Sequence, residues 1–245
     1  MVVPNRIFDI HTHILPGIDD GAKTLTDSVA IVKWLADQGV TDIIATPHFL
    51  NESEYTSSRE ANLKLLEKLQ NKLKREQVNV KIYLGNEIYI DDDIIRLHEE
   101  GLVSTLADSK YLLVELPLDS EFPNYDGYLR DLIDAGYRVI LAHPERYQIV
   151  KKDFGVLKDL AKMGILFQSN WGSLMGKYGK EAEKIVKMLA KRKMIFALGS
   201  DSHHPGRSDY LTIVRGKLRS YYNEREISQL LRINPEKIIT NDLHL

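Results

Sequence analysis

The chain has 245 residues, 33 of them basic and 35 acidic, for a formal net charge of −2, and it contains no cysteine. This length suits one large α/β domain with a substantial buried core, so we expect residues 1–245 to form a single domain. The balanced charge gives no indication of a nucleic-acid or anionic-membrane surface, and the lack of cysteine excludes disulfides, thiolate metal ligands and a cysteine nucleophile.

Short apolar runs alternate with helical patterns along the chain. Strands are predicted at residues 6–11, 42–46, 80–89, 111–116, 138–142, 165–169 and 195–199. Helices are predicted at residues 26–38, 57–76, 91–100, 125–135, 154–163, 180–192, 209–220 and 224–232. Most of the strand runs are continuously apolar, as in parallel strands that are buried on both faces. Seven successive β-then-α units without a linker favour a βα barrel over an open doubly wound sheet.

The helix predicted at residues 57–76 has clear local signals. Ser57 and Glu60 have the spacing of a capping box at its N-terminus. Four leucines recur at helical spacing and are interpreted as core residues: Leu63, Leu66, Leu69 and Leu73. The stretch is too short for the sustained heptads of a coiled coil.

The cellular location is predicted from two features of the sequence. The first residues lack the basic segment and following apolar segment that mark a signal peptide. No apolar run approaches the roughly 18 residues of a membrane-spanning helix. We therefore expect a cytoplasmic protein without membrane insertion.

Residues that can bind metals or transfer protons recur where the predicted strands end. They are His11 and His13 with the first strand, His48 with the second, Glu87 with the third, Glu115 with the fourth, His143 with the fifth, and Asp201 and His203 with the last. The carboxyl ends of the strands meet at the active-site face of a βα barrel, so these side chains should converge. Imidazole and carboxylate ligands without thiolate suit zinc, manganese or iron.

Each of these residues, taken alone, has an ordinary structural explanation. His11 and His13 could be solvated imidazoles at a strand end, and Glu87 or Glu115 could form a buried ion pair with a basic residue. Their conjunction is stronger evidence, because independent structural histidines would not be expected to gather at strand ends. The donors outnumber the ligands of one four-coordinate metal, which favours two or three metals bridged by carboxylates.

Asp19, Asp20 and Gly21 follow the histidine pair in a loop. One explanation is a polar turn, because Asp-Gly is a common turn signal. The other gives one of the two aspartates a metal-binding role. The residue pattern alone does not choose between Asp19 and Asp20.

With these residues assembled, the chain resembles the PHP superfamily, named for polymerase and histidinol phosphatase, over about residues 9–231. Within it the chain is similar to the bacterial tyrosine-protein phosphatases of capsular and exopolysaccharide operons, the CpsB/YwqE type. The resemblance lies in the motifs DIHTHILPGIDDG at residues 9–21, ATPH at 45–48, GNE at 85–87, VE at 114–115, AHPER at 142–146 and GSDSH at 199–203. The first motif is more specific to this branch than to the superfamily.

The resemblance implies a distorted, mostly parallel (β/α)7 TIM-like barrel that binds three divalent metal ions, manganese being expected and iron or zinc being alternatives. The implied metal ligands are His11, His13, Asp20, His48, Glu87, Glu115, His143, Asp201 and His203. This set selects Asp20 over Asp19. Arg146 and Arg207 match phosphate-binding arginines of the family, although the spacing before Arg207 varies.

The implied activity is that of a metal-dependent protein-tyrosine phosphatase, in which bound metals lower the pKa of water and supply hydroxide. The expected partner is the phosphotyrosine tail of a bacterial tyrosine kinase that regulates capsular or exopolysaccharide synthesis. The alternative is a small-molecule phosphatase of the histidinol-phosphate phosphatase kind. The near-neutral charge argues against a nuclease, and the intact ligand set argues against a sensor or scaffold. His203 or His204 could protonate the leaving group through water, which the sequence does not decide.

Overall fold

The computed structural model describes residues 6–120, 123–206 and 209–243. Within these ranges, strands and helices alternate, and every strand pair is parallel. The strands are β1 (Phe8–Thr12), β2 (Asp42–Ala45), β3 (His48–Phe49), β4 (Lys81–Leu84), β5 (Glu87–Tyr89), β6 (Tyr111–Glu115), β7 (Arg138–Leu141), β8 (Leu166–Asn170) and β9 (Ile195–Gly199).

The helices follow the strands on the outside of the fold. They are α1 (Leu25–Asp37), α2 (Arg59–Arg75), α3 (Ile94–Glu99), α4 (Tyr125–Asp134), α5 (Gln148–Lys152), α6 (Gly155–Lys162), α7 (Trp171–Leu174), α8 (Gly179–Lys191), α9 (Tyr210–Leu218), α10 (Glu224–Ser228) and α11 (Asn234–Thr240). A π-helical segment, Gln229–Ile233, joins α10 to α11, so the helix predicted at residues 224–232 continues to Thr240. In the described ranges, each helix is too short or too polar to cross a membrane.

The strand predicted at residues 80–89 is two strands, β4 and β5, which belong to different sheets. β3 continues β2 and β5 continues β4, because hydrogen bonds from Gly85 N to Ala45 O (2.8 Å) and from Glu87 N to Pro47 O (3.1 Å) carry the ladder across the breaks. Pro47 has no N–H to donate. A Cβ at Gly85 would lie 2.7 Å from the Leu106 side chain, so any other residue would force Leu106 to move.

The two sheets have the strand orders β1-β2-β4 and β3-β5-β6-β7-β8-β9. The chain after β9 returns to β1, where Asp201 N donates to His11 O (2.9 Å) and His13 N donates to Ser202 O (3.1 Å). When β2 with β3 and β4 with β5 are each counted as one interrupted strand, the hydrogen bonds between β1 and the chain after β9 close a ring of seven strands. The prediction of a distorted (β/α)7 barrel is confirmed.

Alternation along β6 shows how the barrel presents polar side chains at one end. Tyr111 and Leu113 belong to an apolar cluster of the barrel strands, whereas Leu112 and Val114 pack in the larger core that includes the helices. Glu115 is the next residue on the face of Tyr111 and Leu113, because side chains two apart share a face of a strand. The strand therefore carries its carboxylate to the end of the barrel.

The N-cap of helix α2 lies one residue later than predicted. Ser58 Oγ accepts a hydrogen bond from Ala61 N (3.3 Å), so Ser58 is the N-cap and the capping box predicted from Ser57 is wrong. The Ser57 hydroxyl instead donates to Asn62 Oδ1 (2.6 Å). Of the four leucines predicted as core residues, three are buried, whereas Leu63 is 38% exposed.

Candidate metal centre

The nine residues predicted as metal ligands gather at the carboxyl ends of the strands. They lie in or next to β1 (His11, His13), in the following loop (Asp20), in β3 (His48), β5 (Glu87) and β6 (Glu115), after β7 (His143), and after β9 (Asp201, His203). Each contributes an atom to at least one group of three or four nitrogen and oxygen donors that lie within 4.8 Å of one another. The structure thus brings the set together, and its role in metal binding stays a prediction.

Glu87 is the central carboxylate of this cluster. Its Oε2 lies 3.1 Å from His11 Nε2 and 3.1 Å from His48 Nδ1, and its Oε1 lies 2.8 Å from His143 Nε2. The side chain is completely buried. Burial alone would raise the pKa of Glu87, but His11 and His48 hold this pKa well below its usual value.

Asp201 joins the histidine pair of β1 to the candidate phosphate-binding arginine. Its Oδ1 lies 3.4 Å from His13 Nε2 and 3.6 Å from His11 Nε2. Its Oδ2 accepts hydrogen bonds from Arg146 Nη1 (3.0 Å) and Asn170 Nδ2 (2.7 Å). The backbone of Asp201 has a φ of 50°, a strained conformation of the kind that clusters at functional sites.

A more exposed group of donors lies toward solvent. Asp20 Oδ1 is 3.1 Å from His203 Nε2 and 3.5 Å from His48 Nε2. The hydrogen bond from His203 lowers the pKa of Asp20 to about 2. Glu115 connects this group to the interior, since its Oε1 lies 3.5 Å from His143 Nε2 and its Oε2 lies 4.0 Å from His48 Nδ1.

The structure gives Asp19 and Asp20 different environments. Asp19 is buried, and its carboxylate accepts hydrogen bonds from His13 Nδ1 (2.9 Å), Gly21 N (2.9 Å) and His48 N (3.1 Å). Because Nδ1 of His13 is hydrogen-bonded to Asp19, Nε2 of the same ring faces the cluster. Asp19 thereby fixes the orientation of the His13 ring. A Cβ at Gly21 would collide with the carbonyl oxygen of His13, so the tight loop requires glycine.

Sequence reasoning missed the polar residues of β8. Gln168 Oε1 accepts hydrogen bonds from His11 Nδ1 (2.9 Å) and from His143 N (3.3 Å). Gln168 Nε2 donates to Asn170 Oδ1 (2.8 Å), and Asn170 in turn donates to Asp201. The available signal was the polar end of an otherwise apolar strand, with Gln168 and Asn170 two apart on one face.

The donor set has the chemistry of a divalent-metal site. Three buried polar atoms of the cluster make no contact with hydrogen-bond geometry: Glu87 Oε2 and His48 Nδ1, although they lie 3.1 Å apart, and His143 Nδ1. Burial and the charge of Glu87 raise the pKa of Glu115 well above its usual value. Close carboxylates resist joint ionisation unless a cation lies between them, and unpaired imidazole nitrogens can bind one. The residues present therefore fit bound metal ions.

A cleft of about 490 Å³ opens over this cluster. The floor includes Glu87, Glu115 and His143, and Arg146 reaches into the cleft beside them. The Arg146 guanidinium lies 4.6 Å above the ring of Tyr178, which holds it against Asp201. An anion in the cleft could therefore contact the metal cluster and a guanidinium together.

Two residues named from the sequence, Arg207 and His204, have no described place in the cleft. Arg207 lies outside the described residues. His203 lines the cleft, whereas His204 is exposed and is not among the described lining residues.

Comparisons with known proteins agree with this geometry. The family model described as capsular polysaccharide synthesis, CpsB/CapC, matches residues 7–240. Tyrosine-protein phosphatase YwqE of Bacillus subtilis is 33% identical over 199 residues, which cover 81% of this chain and 78% of that protein. The match therefore spans most of both chains.

Solved structures give the same relationship at the level of the fold. One similar structure comes from the crystal structures of YwqE from Bacillus subtilis and CpsB from Streptococcus pneumoniae, which are described as unique metal-dependent tyrosine phosphatases. It superposes on this chain with a TM-score of 0.88 at 28% identity and covers 98% of this chain and 96% of that chain. The phosphotriesterase from Mycobacterium tuberculosis has a TM-score of 0.60 at 13% identity, covering 97% of this chain and 95% of that chain. The second likeness shows the barrel fold alone.

Proposed function

The chain belongs to the CpsB/CapC family of capsular polysaccharide synthesis, and on this premise we propose that it is a metal-dependent protein-tyrosine phosphatase. Its proposed substrate is the phosphotyrosine tail of a bacterial tyrosine kinase that regulates capsular or exopolysaccharide synthesis. One observation carries the proposal: histidines, carboxylates and an arginine converge at the base of one cleft.

We infer that the cluster holds three divalent ions, manganese being expected and iron or zinc being alternatives. The four donor groups together contain nine residues, which is more than one ion can bind, and this surplus supports more than one ion. Metal ions bound there would lower the pKa of water toward neutrality and neutralise charge on a phosphate ester. Asp19 and Gln168 would fix the ring orientations of His13 and His11 while the ions are bound.

Arg146 is the proposed phosphate-binding residue. Its guanidinium is held by Asp201 and the ring of Tyr178 at the side of the cleft. A guanidinium can contact two phosphate oxygens at once, and these contacts strengthen as charge develops on them. Arg207, which the family resemblance also implies, remains part of the proposal as a second arginine.

The leaving group is consistent with a phosphotyrosine substrate. A phenolate leaves more readily than an alkoxide, so its departure requires less help from a general acid. With no cysteine in the chain, a thiolate-based phosphatase mechanism is excluded. The cleft reaches the surface at Asp119 and Ser120, which are exposed, so a tyrosine on a protein tail could enter it.

The proposal is tested by metal analysis and substrate comparison on the purified protein. Protein prepared without chelators should contain about three transition-metal ions per chain. Chelation should abolish hydrolysis of a phosphotyrosyl peptide, and added Mn²⁺ should restore it. The restored enzyme should release phosphate much faster from the phosphotyrosyl peptide than from histidinol phosphate.

Two results would contradict the proposal. Faster release from histidinol phosphate would assign the protein to small-molecule phosphatases. Full activity after the metals are removed would exclude the metal-dependent reaction.

A further inference from the structure

The cleft has an apolar side that the proposed chemistry at phosphorus does not use. Five residues line it, here called the apolar wall: Leu50, Tyr55, Tyr89, Pro117 and Leu118. They come from the segment after β3, from β5 and from the segment after β6. The apolar wall and the polar floor, where the proposed function places the phosphate, therefore line the same cleft.

Tyr55 stands directly against the metal centre. Its ring is nearly parallel to the ring of His48, at an angle of 16° and a centroid distance of 5.8 Å. The loop holds it there, since Leu50 N donates to Tyr55 O (2.9 Å) and Tyr55 N donates to Ser53 Oγ (3.0 Å). The tyrosine thus belongs to a hydrogen-bonded turn that returns the chain to the cleft.

The wall and the floor have complementary chemistry for one class of ligand. In an aryl phosphate, a single ester oxygen separates the phosphorus from the ring, so a phosphate bound at the floor brings the ring beside the wall. Aromatic rings pack favourably in offset-stacked or edge-to-face arrangements, in addition to the burial of their apolar surface. A serine or threonine phosphate offers no ring to this wall.

We propose that the apolar wall is an aryl-binding subsite and that Tyr55 is its aromatic contact residue. The subsite selects aryl phosphomonoesters over alkyl phosphomonoesters. This inference rests on the proposed function and deepens it, because it assigns the preference for phosphotyrosine to named residues outside the metal cluster.

A matched pair of non-hydrolysable ligands isolates the contribution of the ring. Phenylphosphonate and methylphosphonate carry the same metal-binding group and differ in the aryl ring. Titration calorimetry on the Mn²⁺-loaded enzyme should show tighter binding of phenylphosphonate. In Tyr55→Ala the ratio of the two Kd values should shrink by about tenfold, as expected for loss of an aromatic contact and its buried area.

Two further variants separate the ring from other effects of the substitution. Tyr55→Phe keeps the ring and should keep most of the ratio. Tyr221→Ala makes the same truncation at a tyrosine that lines a separate cavity with Lys180 and Lys184, and it should leave the ratio at the wild-type value. The metal content of each variant is measured, because Tyr55 covers one face of His48.

Each result has a defined meaning. An unchanged ratio in Tyr55→Ala would overturn the subsite. Equal weakening of both ligands together with loss of metal would also overturn it, because Tyr55 would then act through His48. Failure of the proposed function would be detected separately. In that case the wild-type enzyme would not hydrolyse the phosphotyrosyl peptide, independently of how the variants bind the two phosphonates.

Discussion

Two cavities of similar volume lie at opposite ends of the barrel strands. The cleft over the candidate metal centre measures about 490 Å³, and the second cavity, at the amino ends of β6 and β7, measures about 470 Å³. Both contain a histidine beside a tyrosine, together with an arginine and a carboxylate. In the second cavity, His98 is hydrogen-bonded to Tyr137 (2.7 Å) and Arg59 pairs with Asp108 (2.9 Å).

The difference lies in how the polar groups are satisfied. Among the described residues, the side chains that line the second cavity have no buried polar atom without a partner, whereas His48, Glu87 and His143 each have one. Exposed ion pairs such as Arg59–Asp108 contribute little and require no ligand. Buried imidazole and carboxylate donors that face one another can be satisfied by a bound cation. The two cavities are alike in volume and residue type, and they differ in that only the cleft over the candidate centre combines grouped imidazole and carboxylate donors with buried atoms that lack a hydrogen-bond partner, among the described residues that line the two cavities.

The largest expected effect is at Glu87, where three histidines converge. Glu87→Gln should lower kcat for a phosphotyrosyl peptide by on the order of 10³-fold, because a neutral amide cannot replace the carboxylate at the centre of the proposed metal cluster. Asp108→Asn, which neutralises a carboxylate of the second cavity, should leave kcat within about twofold. A Glu87→Gln enzyme with more than a tenth of wild-type activity would contradict the central role of this carboxylate.

Arg146 should show the next largest effect. Arg146→Lys keeps the charge but loses the planar pair of donors, so kcat/KM should fall by about 100-fold. Arg59→Lys is the equivalent change in the second cavity and is expected to be almost silent. Steady-state kinetics on both variants makes the comparison, and equal losses would show that Arg146 has no special contact with phosphate.

Asp19 tests the role of the residues that contact the predicted metal ligands from outside the cluster. Asp19→Asn should weaken metal binding by about 10- to 100-fold, because the ring of His13 loses its carboxylate partner. Asp27→Asn alters the exposed capping box of α1 and should lower stability slightly without changing metal affinity. Competition with a fluorescent chelator measures both affinities, and a metal affinity unchanged in Asp19→Asn would remove this residue from the site.

The smallest effect is expected at His98. His98→Ala removes the hydrogen bond to Tyr137 and should lower the free energy of unfolding by about 1 kcal/mol, with activity kept within about twofold. Urea denaturation and the peptide assay measure the two quantities. A tenfold loss of activity would show that the second cavity is coupled to the first.

Much of the barrel and of the donor set could be predicted from the sequence. Continuous apolar runs predict buried parallel strands, and the polar residues at their carboxyl ends predict convergence, because those ends meet at one face. This reasoning named eight of the nine donors that the structure gathers, and the family resemblance added Asp20. The prediction of a single strand at residues 80–89 was wrong, because the same apolar pattern fits one long strand or two short ones. The chain is interrupted near Gly85, which packs closely against Leu106, and β4 and β5 belong to different sheets.

The partnerships around those donors were decided by the tertiary structure alone. Gln168 orients His11 from 157 positions away, and no local period reports a contact across the barrel. Asp19 and Asp20 are adjacent and chemically identical, so residue type could not separate them. The loop decides, because it turns Asp19 inward to His13 and leaves Asp20 facing His48 and His203. The sequence by itself determined which groups are available and at which end of the barrel they lie. The folded chain determined which of them touch, since those contacts depend on side-chain directions set by distant packing.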